Sequence, residues 1–173
     1  TLTTTQPITN KGTFKVIDSS VKKTGLFNNI KTRTLINQGT MTIDGANIKS
    51  AEIAIYGNSG NGTVTLTNNS SLTGTTGIYF DSGQTFVMES GTIKATDIGV
   101  RLQADDGKFI MNDGYVQGVG YGLYTYGLRN KVEINNGHIK ATNGMGLRDE
   151  RYDYYSTKIF LYLHVFFFEK FVW

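Results

Sequence analysis

Two adjacent carboxylates, Asp105 and Asp106, are the strongest candidates for chemistry in this sequence. Paired acidic side chains can bind calcium or act as general acid and base. The pair lies in the segment QADDGKF, however, where aspartate and glycine are ordinary turn residues. We therefore interpret both as turn residues and predict no catalytic residue in the chain.

Other groups that commonly carry catalysis or bind metals are few. His138 and His164 are the two histidines, and neither has a second ligand at a spacing typical of metal sites. His138 follows Gly137 at an outward turn position, where solvation explains it. The chain has no cysteine, which excludes disulfides and thiolate ligands. We predict no metal site, no cofactor and no enzymatic activity.

The charge pattern narrows the possible partners. The net charge is +3 and no run of lysine or arginine exists, so we expect no nucleic-acid partner. The longest apolar run, residues 159–168, is interrupted by His164 and is shorter than the roughly 20 residues that a membrane helix needs. We predict no membrane span, and the residues after Thr1 show no signal-peptide pattern.

The elements that would position a binding surface belong to an internal repeat with a period near 23 residues. Gly91, Gly114 and Gly137 recur at this interval, and glycine supplies the positive φ that a sharp corner requires. Four apolar columns keep their register through the repeats: Met41, Val64, Phe86, Phe109 and Val132; Ile43, Leu66, Met88, Met111 and Ile134; Ile48, Leu72, Ile93, Val116 and Ile139; and Ile55, Ile78, Val100 and Leu123.

Apolar and polar residues alternate within each repeat, as in Met41-Thr42-Ile43, which is typical of a strand with one buried face. Such a unit buries its apolar face only when units stack. We therefore predict an all-β fold, a single-domain right-handed parallel β-helix of about six coils over residues 1–147. The phrase ITNKGTFKV matches LINQGTMTI at an offset of 27, and we expect the extra residues to form a loop at 28–33.

The same alternation predicts two outward columns. Tyr56, Tyr79, Arg101 and Tyr124 should form a flat strip whose rings and guanidinium group stack on sugar rings or contact a partner surface. The alternative is that these side chains only stabilise the sheet. The second column would attract acidic glycans or simply solvate the sheet, and it contains Lys49, Thr73, Lys94, Gln117 and Lys140.

The repeated phrases NxGTxTI, GxIKA and GIYF or GLYTY, within residues 8–147, resemble those of a known fold family. The chain resembles the pectate-lyase-like right-handed parallel β-helix, and more narrowly the Gly-, Asn- and Thr-rich repeats of bacterial surface proteins and adhesins. This resemblance implies a non-enzymatic, extracellular or cell-surface repeat region that projects or binds a carbohydrate or host surface. Such a chain can also associate end to end.

Two further functions stay open. The fold resemblance also fits a fragment of a β-helical polysaccharide lyase or glycosidase, although the paired acidic motifs of the galacturonase pattern have no counterpart here. A phage tail-fibre segment is the other alternative, and obligate trimerisation would distinguish it.

The repeat stops near Leu147, and residues 148–173 contain nearly half of the aromatic residues and no glycine. We predict that this segment is distinct from the repeats. It is either a cap that covers the last coil or non-native sequence such as an out-of-frame read-through.

Overall fold

A computed structural model describes residues 1–20 and 25–150 of the chain, together with the backbone of strand Lys158–Leu161. These parts contain nineteen strands and no helix. Within them, therefore, no helix is long and apolar enough to cross a membrane. All strand pairs are parallel, and the strands stack in three ladders that form a β-solenoid of about six turns.

The first ladder and the second ladder are continuous with each other through two long strands. The first contains β1 (Leu2–Thr4), β4 (Leu26–Asn29), β7 (Asn47–Ser50), the first halves of β10 (Ser71–Phe80) and β12 (Thr92–Leu102), β14 (Tyr115–Gly118) and β17 (His138–Ala141). The second contains β2 (Ile8–Asn10), β5 (Leu35–Asn37), β8 (Ile53–Gly57), the second halves of β10 and β12, β15 (Tyr121–Thr125) and β18 (Met145–Asp149).

The third ladder forms a separate sheet. It contains β3 (Thr13–Ile17), β6 (Thr40–Asp44), β9 (Thr63–Thr67), β11 (Thr85–Met88), β13 (Lys108–Met111), β16 (Lys131–Ile134) and β19 (Lys158–Leu161). Strand β19 pairs in parallel with β16, so the backbone of this sheet continues past the predicted boundary at residue 147. Arg148 and Asp149 likewise extend β18 and pair with Tyr124 and Thr125. Beyond residue 150, the predicted distinct character of the tail otherwise lies outside the described residues.

The four predicted apolar columns are confirmed. Phe86, for example, pairs with Val64 on one side and with Phe109 on the other, and all three side chains are fully buried. The rings of Phe86 and Phe109 stack with centroids 5.2 Å apart and an interplanar angle of 8°. Like residues therefore lie directly over one another inside the solenoid, which is how short strands share one continuous core.

The predicted loop at 28–33 is wrong in its position. Asn28 and Asn29 end strand β4, and Phe27 pairs with Ile48 in the third apolar column. The longer connection comes earlier, because residues 18–25 separate β3 from β4, whereas Gly45 and Ala46 alone separate β6 from β7. The matched phrases contain only strands of the second and third ladders, so the match could not show on which side of β4 the extra residues lay.

Buried amides line the corner between the second and third ladders. Asn10 donates from Nδ2 to Asn37 Oδ1 at 2.9 Å, and Asn37 donates from Nδ2 to Gln84 Oε1 at 3.2 Å. Gln84 in turn donates to the carbonyl oxygens of Asn37 and Ser59, at 2.8 and 2.7 Å. These bonds satisfy polar groups that would be costly to bury alone.

Candidate functional site

The second ladder brings the four predicted binding residues into one outward column. Tyr56 pairs with Tyr79, Tyr79 with Arg101, and Arg101 with Tyr124. Their neighbours in sequence, such as Ile78 and Val100, point inward and are fully buried, so the alternation of a strand with one buried face sets the outward direction. Tyr56 is 8% exposed, and the other three are half-buried.

The column is not the flat strip that the sequence predicted. The ring of Tyr56 meets that of Tyr79 edge to face, with centroids 5.4 Å apart and an angle of 75°. The guanidinium carbon of Arg101 lies 4.9 Å from the ring centroid of Tyr79 and 5.3 Å from that of Tyr124. Strands of one ladder lie about 4.8 Å apart, so neighbouring side chains cover one another's faces. The column therefore presents ring edges and hydroxyls outward.

Two arginines that the sequence analysis missed belong to the same surface. The guanidinium carbon of Arg33, in the turn between β4 and β5, lies 3.8 Å from the ring centroid of Tyr56. Arg148 pairs with Tyr124 in the next coil, and its guanidinium carbon lies 5.2 Å from the ring centroid of Tyr121. Aligning GLRDE with GLYTY would have found Arg148, whereas Arg33 occupies no column of the repeat.

Carboxylates and an amide fix the polar ends of this column. The hydroxyl of Tyr56 donates to Asp81 at 3.1 Å, and that of Tyr124 donates to Glu150 at 2.6 Å. Gln103 Oε1 accepts from Nε and Nη2 of Arg101 at 2.8 and 2.5 Å. Burial raises the pKa of the Tyr56 phenol above its ordinary value, and the hydrogen bond to Asp81 adds to this effect.

A shallow hollow opens at the end of the column that is formed by the last described coils. Its lining consists of Ile98, Arg101, Tyr121, Tyr124, Arg148 and Glu150. The hydroxyl of Tyr121 accepts from Arg148, which also forms a salt bridge with Glu150. The hollow thus combines two guanidinium groups, two phenol rings and one carboxylate, which suits a ligand with hydroxyl groups on a ring. We call the column and this hollow the tyrosine–arginine surface.

Asp105 and Asp106 lie in a turn, as predicted. Asp106 adopts a positive φ of 60° and accepts two hydrogen bonds from Arg129, at 2.8 and 2.7 Å. Asp105 accepts from the backbone N–H of Leu128 at 2.8 Å. The hydrogen bonds from Arg129 hold the pKa of Asp106 below its ordinary value, so this carboxylate stays ionised and paired.

His138 lies on the first ladder, where its half-buried ring stacks on Tyr115 with centroids 5.4 Å apart and an angle of 6°. Over residues 1–20 and 25–150, no group of three histidine or acidic residues is placed to hold a metal ion. His164 lies outside the described residues.

Comparison with known proteins adds no relative. No protein-family model, curated protein or solved structure matches the chain. The surfaces of the solenoid themselves are therefore the basis for inferring a function.

Proposed function

We propose that this chain is a non-enzymatic, adhesin-like repeat region, of the pectate-lyase-like β-helix type, from a bacterial cell-surface or secreted protein. It binds glycan on a host or neighbouring surface through the tyrosine–arginine surface, which includes Tyr56, Tyr79, Arg101 and Tyr124. The observation that carries this proposal is the hollow beside Arg101 and Tyr124, where half-buried aromatic and charged side chains converge.

The chemistry of this hollow favours a neutral or weakly charged sugar over an apolar ligand. Phenol hydroxyls and guanidinium N–H groups can bond the ring hydroxyls of a sugar, while the ring edges contact its C–H groups. The side chains already contact one another, so they are held in place before a ligand arrives. Preorganisation of this kind lowers the entropy cost of binding.

The test is direct binding of immobilised glycans to Tyr79→Ala and Tyr124→Ala. A glycan array identifies ligands for the unaltered chain, and interferometry then measures their affinity for each variant. We expect at least about tenfold weaker binding, because each variant removes a ring from the surface and frees Arg101 to move. The control is Ile110→Ala, which removes a half-buried, outward side chain from the third ladder.

Equal affinity of Tyr124→Ala and Ile110→Ala for every bound glycan would rule out this surface as the binding site. Circular dichroism must show the same β-rich spectrum for all variants, and Arg148→Gln supplies a second probe of the hollow at the edge of the ladder. Cleavage of a uronide polymer that is lost in Asp105→Asn and Asp106→Asn would instead support a lyase or glycosidase.

A further inference from the structure

A second outward column follows the first ladder on a different face of the solenoid. Lys49 pairs with Thr73, and Thr73 with Lys94. Lys94 in turn pairs with Gln117, and Gln117 with Lys140, so a lysine recurs in every second coil. Lys49 and Lys94 are exposed, unlike the half-buried residues of the tyrosine–arginine surface.

A groove runs beside this column, where β10 and β12 bend from the first ladder into the second. Lys49, Thr73 and Lys94 line one side, and Thr75 and Thr96 lie on the other. The register between β10 and β12 shifts at this point, because the two steps from Gly74 to Thr76 oppose three steps from Ala95 to Ile98. A Cβ at Gly74 would lie 2.9 Å from the Glu52 carbonyl oxygen, so glycine allows the two coils to approach closely here.

The ammonium groups of the groove are available to a ligand. Neither Lys49 nor Lys94 forms a salt bridge within residues 1–20 and 25–150, whereas Lys15 pairs with Asp44 at 2.9 Å. Glu52 and Asp97 follow the two lysines by three residues, but they do not line the groove. The groove wall therefore offers ammonium and hydroxyl donors and no carboxylate.

The spacing of the lysines identifies the kind of polyanion that fits. Strands stack about 4.8 Å apart, so lysines in alternate coils recur about every 9.6 Å. Successive phosphates of a nucleic-acid strand are separated by about 3.4 Å along the duplex axis, which is far denser than this column. A linear glycan with an acidic residue at every second sugar carries its charges farther apart, as the lysines of this column are. Between the lysines, Thr73 and Gln117 can bond the neutral sugars.

Gln117 is oriented for this task. Its Oε1 accepts a hydrogen bond from the Tyr115 hydroxyl at 2.8 Å, which fixes the amide and leaves the Nε2 hydrogens to donate. We infer that the groove along Lys49, Thr73 and Lys94 binds a linear acidic glycan whose carboxylate-bearing and neutral sugars alternate. This site shares no residue with the tyrosine–arginine surface, so it stands or fails separately from the proposed function.

The test uses three probes of different charge density: a hyaluronan oligosaccharide, in which uronate alternates with a neutral sugar; an oligogalacturonate, which is charged at every sugar; and a duplex DNA oligonucleotide. We expect the unaltered chain to bind hyaluronan most tightly. Lys49→Gln with Lys94→Gln should weaken this binding on the order of tenfold, or about 1.4 kcal/mol. Added salt should weaken it as well, because exposed charges are screened.

The control is Lys11→Gln with Lys108→Gln, which changes the net charge equally but alters lysines outside the groove. This control and Tyr124→Ala should both keep full affinity for hyaluronan. Three outcomes would overturn the inference. The two double-lysine variants could lose the same affinity for hyaluronan, the oligonucleotide or the oligogalacturonate could bind more tightly than hyaluronan, or hyaluronan could fail to bind. Weaker binding of hyaluronan in Tyr124→Ala alone would also overturn it, because hyaluronan would then bind at the tyrosine–arginine surface.

Discussion

Arg101 illustrates how a residue behaves when its neighbours in space are one coil away. Its guanidinium group lies between the rings of Tyr79 and Tyr124, and Gln103 holds it by two hydrogen bonds. A cation over an aromatic face contributes about 0.5–1 kcal/mol at an exposed site. Arg101 therefore stabilises the second ladder as well as the proposed binding surface.

Replacement of Arg101 separates these contributions. Arg101→Gln should lower the free energy of unfolding by about 1–2 kcal/mol, because two cation–ring contacts are lost. Arg101→Lys should lose less, since it keeps the charge but not the planar guanidinium. Urea unfolding followed by circular dichroism measures both. Lys11→Gln, at an exposed position between β2 and β3, should change the midpoint far less, and an equal loss there would mean that the contacts of Arg101 do not stabilise the ladder.

For single residues, the sequence predicts which column a side chain joins better than it predicts how that side chain is oriented within the column. Alternation and a regular period were enough to place Tyr56, Tyr79, Arg101 and Tyr124 together. Ring orientation was not predictable, because it depends on how each side chain packs on the coils above and below. Arg33 reaches Tyr56 from a turn, where no periodicity applies.

Corners are the elements that hold the three ladders at fixed angles. The corner between the third and first ladders has a positive-φ residue in five coils: Gly45, Asn68 with Asn69, Gly91, Gly114 and Gly137. Gly91, Gly114 and Gly137 were predictable from their interval. At the corner between the second and third ladders, the residues with positive φ are Asn61, Asp106 and Arg129. Arg129 is unexpected at positive φ, and its paired hydrogen bonds to Asp106 help to offset the conformational cost.

Gly114→Ala tests the corner directly. Gly114 has a φ of +119°, and a Cβ there would lie 2.7 Å from the Gly91 carbonyl oxygen. We expect a loss of about 1–3 kcal/mol in the free energy of unfolding, because an L side chain is strained in this conformation. Gly60→Ala is the control, since Gly60 has an ordinary φ and no atom within 4 Å of a Cβ. Equal denaturant midpoints for the two variants would show that the corner tolerates a side chain.

The described part of the molecule is a linear array in which strands pair only with strands of adjacent coils, while the Asn37–Gln84 hydrogen bonds at one corner reach across an intervening coil. In the third ladder, β11 pairs with β9 and with β13, whereas β3 pairs with β6 alone among the described strands. Burial follows the same trend, because Phe14 is partly exposed while Phe86 and Phe109 are fully buried. Sequence columns predicted this architecture well, since they repeat with the coils, but they did not show that the extra residues lie between β3 and β4.

The array makes the cost of one substitution depend on its coil. Phe14 and Phe109 belong to the same column, but Phe109 stacks on Phe86 and pairs with Val132 on its other side. Phe109→Ala should cost about 3–5 kcal/mol, as expected for a buried ring that leaves a cavity. Phe14→Ala should cost less than half as much, because water already reaches that ring.

Hydrogen exchange measured by mass spectrometry locates the effect of each change. Phe109→Ala should raise exchange in β11, β13 and β16, because each coil is stabilised mainly by its neighbours. Phe14→Ala should raise exchange only in β3 and β6 and leave β13 protected. A uniform rise across all strands in both variants would mean that the coils unfold as one cooperative unit, and position along the solenoid would then not determine local stability.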